Sequence, residues 1–158
     1  WKKCISSTNE IRFDPQEKSL AVVSPKTESL TFRNGCLCGK MMAVRNSSSA
    51  VTVALISLDD KALEESREML LLHLTNVNCT GMVFGSPQMT LLRKEGGMPA
   101  LVQKGSAEVT LRSPHDYRIT ALTVDGAPLG TIQGRDGFVF HVDTGCFKGG
   151  VMAYHLTR

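Results

Sequence analysis

Long apolar runs, aromatic residues and charge of one sign are all scarce in this 158-residue chain. No stretch reaches the roughly 18 to 20 apolar residues that a membrane-spanning helix requires, so no membrane partner is expected. The 18 Lys and Arg against 15 Asp and Glu leave a net charge of only +3. These basic residues are scattered and form no block, so no nucleic-acid partner is expected either. Aromatics make up 6% of the chain, with one Trp, at position 1. That is a thin supply for sugar recognition, which relies on exposed rings stacking on sugar C–H faces. Helical periodicity is nearly lacking, which excludes a bundle. The five cysteines form an odd set, so at least one thiol stays free or pairs with another chain, and a full disulfide framework is excluded.

Catalytic signatures are equally sparse. No Gly-flanked serine elbow of the G-x-S-x-G kind occurs, and Gly85-Ser86-Pro87 reads as turn chemistry. Gly39-Lys40 lacks the upstream glycine and following Ser or Thr of a phosphate loop, and Gly130, Gly134 and Gly137 do not lead a strand into a helix. His73, His115, His141 and His155 show no metal-ligand spacing and read as surface or sheet-face imidazoles. Asp14, Asp59, Asp60, Asp125 and Asp136 fall in turns, whereas a glycosidase needs two carboxyls facing across a cleft. Loop acids can hold a structural calcium in a sandwich, although no EF-hand spacing is present; the expectation is no cofactor, with calcium the alternative. Cys36 and Cys38 sit between Gly35 and Gly39 without a second pair at zinc spacing, and read as plain buried or loop thiols. The sequons at Asn46 and Asn78 are assigned no function.

What is present is a rhythm of short strands. Apolar or alternating runs recur about every ten residues, each bounded by Gly, Pro, Asn or Asp, which predicts an all-β antiparallel sandwich of about ten to twelve short strands. Residues 10–13 and 19–23 form a hairpin around Asp14-Pro15. Asn34-Gly35 predicts a tight type I′ hairpin between residues 30–32 and a return at 41–44. Residues 59–68 are too charged for a buried helix and read as a solvated loop with one turn. Residues 69–77 read as one long central strand covered on both faces, with Leu70, Leu72 and Leu74 on one side and Met69, Leu71 and His73 on the other. Further strands fall at 89–93, 100–102, 107–111, 118–124, 130–132, 138–142 and 151–156, with tight turns at Asp125-Gly126 and Asp136-Gly137. The last strand points Met152, Tyr154 and Leu156 inward. Residues 1–158 read as a single domain of ordinary size, and Trp1-Lys2-Lys3-Cys4 is neither a signal peptide nor a methionine start, so the expected context is a larger multidomain protein.

Phe13, Phe32, Phe138 and Phe140 alternate inside strands and are assigned to the core. Phe84, Tyr117 and Phe147 lie in or beside turns and are the candidate carbohydrate contacts. Their convergence on one exposed surface would favour a sugar site.

Residues 53–71, with a strand running into Ser57-Leu58-Asp59-Asp60-Lys61 and on through Glu65-Ser66 to a leucine-rich strand, resemble a segment of the C-terminal β-sandwich regions of bacterial glycoside hydrolases. Thr75-Asn76-Val77-Asn78-Cys79-Thr80-Gly81-Met82 resembles the Asn-Thr-Gly-Met element that follows there, and residues 105–111, 117–130 and 151–156 resemble the closing strands. The similarity covers about two-thirds of the chain. It departs from the pattern at Asp60, where Gly is usual, and in its cysteines. The resemblance implies a non-catalytic accessory module beside a barrel hydrolase whose catalytic carboxylates lie outside this chain. The implied partners are a poly- or oligosaccharide and the catalytic domain of the same polypeptide, and the implied location is secreted or periplasmic. Two versions stand: carbohydrate binding, which tethering to an active site would make useful even if weak, and support of the barrel through a shared apolar face, which would leave an exposed patch on the isolated domain. The rival is a stand-alone small hydrolase using loop acids with His141 or His115.

Overall fold

The computed structural model describes residues 2–132 and 139–158. Within them the chain is entirely β, with seventeen strands and no helix. The first eight are β1 (Cys4–Ile5), β2 (Ile11–Asp14), β3 (Ser19–Val23), β4 (Thr27–Phe32), β5 (Gly35–Cys38), β6 (Met42–Asn46), β7 (Val51–Ser57) and β8 (Glu68–Leu74). Then come β9 (Val77–Thr80), β10 (Val83–Phe84), β11 (Leu92–Lys94) and β12 (Gly97–Val102). The last are β13 (Ser106–Leu111), β14 (Arg118–Leu122), β15 (Pro128–Ile132), β16 (Val139–Asp143) and β17 (Ala153–Thr157). The count exceeds the expected dozen because β1, β5, β9 and β10 are strands of two to four residues with little apolar pattern to announce them.

A nine-stranded sheet runs β1-β2-β3-β4-β7-β8-β17-β14-β15, and a four-stranded sheet runs β16-β13-β6-β5, every pair antiparallel. Their inner faces meet in one core, as an all-β sandwich requires. The period-2 alternation does this work: Leu30 and Phe32 of β4, Val51, Val53 and Leu55 of β7, and Tyr154 and Leu156 of β17 point inward from the large sheet. Met42 and Val44 of β6, Val109 of β13, and Phe140 and Val142 of β16 answer from the small one. Each such side chain contributes roughly 1.5–3 kcal/mol by leaving water. On β8, Met69, Leu71 and His73 are buried and Leu70 and Leu72 half-covered, as the two-sided reading expects. Met152 stops short of the last strand and is half-buried; its carbonyl accepts the His73 backbone N–H at 2.8 Å.

Several expectations are corrected. Asn34-Gly35 is not the tip of a hairpin. Both edges of β4 are already occupied, by β3 and β7, and the chain passes at this point from the large sheet to the small one, where β5 pairs with β6. A type I′ turn needs positive φ at both central residues, and here Gly35 alone has it, at +96°. The strand expected over residues 69–77 breaks after Leu74, and β9 pairs with β12 outside the sandwich. Phe13, assigned to the core, is 43% exposed because the register sets it opposite Leu20 on the outward face of the large sheet, while its neighbour Arg12 lies opposite the buried Ala21. Phe138 and the Asp136-Gly137 turn lie outside the described residues.

Two polar side chains hold the layers in register. Glu28, on the inner face of β4, is buried, and its carboxylate accepts the backbone N–H groups of Lys40 (2.7 Å), Met41 (2.6 Å) and Met42 (3.0 Å) from the β5–β6 turn. A carboxylate with this many charge-assisted bonds is a latch between sheets. Asn46 is buried beside the crossover; its amide donates to the carbonyls of Arg33 and, at 2.8 Å, Ser49, while its oxygen accepts the Ser48 N–H at 3.1 Å. The loop after β7 is charged and exposed as expected, with a single turn closed by the Ser66 N–H on the Ala62 carbonyl at 2.9 Å. Unforeseen is that Leu63 and Ser66 plug into the body. Asp59 caps this loop, accepting the Arg67 N–H (2.9 Å) and the hydroxyls of Ser66 (2.7 Å) and Ser57 (3.0 Å). Those bonds, that from Arg67 foremost, hold its carboxyl well below the usual range.

Candidate interaction surface

The three candidate sugar contacts are placed on two different parts of the molecule. Tyr117 precedes β14, packs against the core and donates its hydroxyl to the Ser66 carbonyl at 2.8 Å. Phe147 packs against the core beside β15, so close to Gly130 that a β-carbon there would meet its ring at 3.0 Å. Both rings are half-buried and spend contact area on the sandwich itself. Phe84 lies on β10, away from that core cluster, opposite Leu92 of β11.

The histidines and loop acids are similarly dispersed. His141 and Glu108 are cross-strand neighbours on β16 and β13, with Nε2 3.7 Å from the carboxylate. His155 Nε2 lies 2.9 Å from Glu68 on the adjacent strand. The His115 backbone N–H donates to Ser113 Oγ at 3.1 Å, and its side chain lines a shallow depression with Arg67, Asp116 and Arg158. Asp14, Asp59 and Asp125 bond within their own turns, and Asp60 pairs with Lys26. Among the described residues no group of three or more His, Cys, Asp or Glu comes together as metal ligands. His73 departs from the sheet-face reading: it is fully buried, and neither ring nitrogen has a hydrogen-bond partner among the described residues. Burial pushes its pKa down to about 4, with Asp143 opposing the shift.

The feature that distinguishes this surface is an arm between β8 and β13. The chain leaves the sandwich along β9, turns at Gly81 (φ +73°), forms the β10–β11 ribbon, turns again at Gly96 (φ +76°) and returns along β12. At Gly96 a β-carbon would lie 2.6 Å from the backbone of Thr80 and Met82, so only glycine fits. The base is tied by the Gln103 N–H on the Asn76 carbonyl and by Thr75 Oγ1 donating to the Gln103 carbonyl, both at 2.7 Å. Thr80 Oγ1 donates to the Pro99 carbonyl at 2.7 Å across a bulge where Gly97 and Ala100 oppose Thr80 and Cys79. None of the four arm strands pairs with a strand of the sandwich.

The arm is apolar and bare. Every residue of β11 and β12 is exposed. Nine of the fourteen exposed large hydrophobics among the described residues fall between Leu74 and Val102, with Met98 at 83%, Leu91 at 54% and Leu101 at 53%. Scattered single hydrophobics on a surface are ordinary, whereas here they are concentrated in one segment of the chain. Sequence reading assigned strands to parts of this region without locating the exposed face. The one available signal was composition: Gly96-Gly97, a proline at 99 and apolar residues without alternation.

Comparison of the chain with protein families, curated proteins and solved structures found no match.

Proposed function

We propose that this chain is a non-catalytic accessory module of a glycan-degrading enzyme, and that it acts by docking its apolar arm, residues 75–103, onto the catalytic domain of the same polypeptide. The exposed arm carries this reading: a shared apolar face is what the supporting version of the module requires. The resemblance of residues 53–82 and of the closing strands to accessory sandwiches of bacterial glycoside hydrolases supplies the partner class. Against that, the carbohydrate-binding version draws less support, since Tyr117 and Phe147 engage the core while Phe84 sits on the arm.

The test is association between this chain and the separately expressed catalytic domain of its own polypeptide, followed by calorimetry. Saturable binding that is abolished by M98K/L101K supports the docking reading; no association overturns it. Affinity gels on plant, algal and host glycans complete the experiment, where retardation that survives M98K/L101K and is lost in F84A would move the assignment to sugar binding. Turnover of polysaccharides or aryl glycosides by this chain alone, lost in H141A or H115A, would establish the hydrolase reading instead.

A further inference from the structure

β5 forms an edge of the four-stranded sheet and carries Cys36 and Cys38 on one face, with Leu37 turned the other way against the core. That anchoring leaves both thiols exposed, with their sulfurs 4.0 Å apart. We propose that Cys36 and Cys38 form a two-thiolate chelate for a soft monovalent metal ion of the copper(I) class.

Three observations select this ligand. The first is the sulfur separation. Thiolate–metal bonds of about 2.3 Å place two sulfurs about 3.8 Å apart at a tetrahedral angle and about 4.6 Å apart when collinear. The observed 4.0 Å lies within this span, so the metal enters with only a small side-chain rotation. A disulfide is the poorer fit. Residues two apart on a strand have their Cα atoms about 6.4–6.8 Å apart, at the upper limit of disulfide geometry, and the sulfurs would have to close by about 2 Å on a strand held by β6 and Leu37.

The second is donor number. Zinc takes four ligands in a closed site. Among the described residues no third Cys, His, Asp or Glu joins the pair in a ligand group. Soft thiolates with few further donors favour copper(I) over the harder divalent ions.

The third is charge. Binding releases both thiol protons to solvent, and two thiolates with one monovalent ion leave a net charge of −1. Arg45 is the cross-strand neighbour of Cys36, Arg12 donates to the Cys38 carbonyl at 3.2 Å, and Arg112 donates to the Gly39 carbonyl at 3.4 Å. An anionic complex is what those arginines stabilise. Cys4 lines the same cleft of about 230 Å3 as Cys38, and whether it serves as a third donor is read by the C4S variant.

The reduced full chain is titrated anaerobically with copper(I), and separately with zinc(II), and examined by native mass spectrometry. The expected result is one copper per chain, with a mass gain of one copper less two protons, and no retained zinc. Copper should protect Cys36 and Cys38 from iodoacetamide while Cys146 remains alkylated, a readout that needs no variant. C36S and C38S should each lose the metal while keeping the wild-type circular dichroism, and C79S and C146S should retain it. The proposal is overturned by copper retention in C36S/C38S, by loss in C4S, by equal uptake of zinc, or by a reduced chain that takes up no copper.

Discussion

His73 sits on the inward face of β8 with no exposure and with both ring nitrogens unpartnered among the described residues, so the packed core disfavours its protonation. Its pKa is about 4 in the folded chain against 6.5 for an ordinary histidine, with desolvation the cause and the Asp143 carboxylate too weak to offset it. The sign follows from linkage. The unfolded chain binds a proton at this residue near pH 6.5 and the folded chain does not until near pH 4, so acid favours unfolding. Stability is fully present above pH 6.5, declines through the interval and reaches its loss near pH 4. At about 1.4 kcal/mol per pH unit the loss is about 3 kcal/mol. With a urea dependence of about 2 kcal/mol per molar, the unfolding midpoint should fall by about 1.5 M between pH 7 and pH 4.5. The carboxylates held low by their bonds, Asp59, Asp14 and Asp125, act in a different window: their contribution is present above the ordinary carboxylate pKa and is lost only as pH falls below about 4. H73L removes the titration and the two orphaned nitrogens at little change of volume. It should flatten the profile between pH 6.5 and 4.5 and raise stability at pH 7 by about 1–2 kcal/mol, the relief of unsatisfied buried groups. Urea unfolding followed by tyrosine fluorescence across that range measures both. A wild-type profile that is flat from pH 6.5 to 4.5, or an H73L profile as steep as wild type, refutes the reasoning.

Glu28→Ala should lower stability by about 3 kcal/mol or more, seen as a drop in Tm, because three backbone N–H groups of the β5–β6 turn lose their acceptor; Glu28→Gln should recover part of it. Asn46→Ala should cost about 2 kcal/mol by orphaning the Arg33 and Ser49 carbonyls, and Asn46 should stay unmodified on expression in a glycosylating host, since its amide nitrogen is buried and already used, which peptide mapping reads directly. Amide exchange should be fast throughout β10 and β11 and slowest in β7 and β8, because the arm ribbon is short and solvated while the central strands are covered on both faces. M98K/L101K should change the Tm of the isolated chain by little, within about 0.5 kcal/mol, since both side chains are already in water.

The sandwich was legible because its cause is local. The alternation in β4, β13 and β17 is written residue by residue, and turn chemistry at Asp14-Pro15 and Asp125-Gly126 marks the ends. What escaped depends on partners distant in sequence. Glu28 looks like one more surface acid until the turn twelve to fourteen residues later brings three N–H groups to it. For His73 the alternation already reads a covered central strand, but it does not say that the strands on either side, β7 and β17, leave both ring nitrogens without a hydrogen-bond partner among the described residues. Asn34-Gly35 carries the right residues for a hairpin, but the local signal does not say that both neighbours of β4 are already taken.

The arm follows the same rule in reverse, since there the local pattern predicts strands and fails to say that, among the described residues, nothing covers them. Its two ends are bonded together at Thr75, Asn76 and Gln103, and its strands pair only with one another, so the segment closes on itself before the sandwich resumes at β13. A loop closed at its base adds little entropy cost as it lengthens, about 0.6 kcal/mol per doubling, so the sandwich tolerates such an excursion without supporting it. An excursion that contributes no side chain to the buried core yet retains eight exposed large hydrophobics is, on the docking proposal, stabilised by contacts outside this chain. A covering surface that buried Met98 and Leu101 alone, at about 25 cal/mol per Å2, would gain several kcal/mol before the cost of association. The arm should therefore become protected from amide exchange in the full polypeptide while the rates in β7 and β8 remain unchanged. An arm that exchanges equally fast in both settings would leave its apolar residues without an explanation in docking.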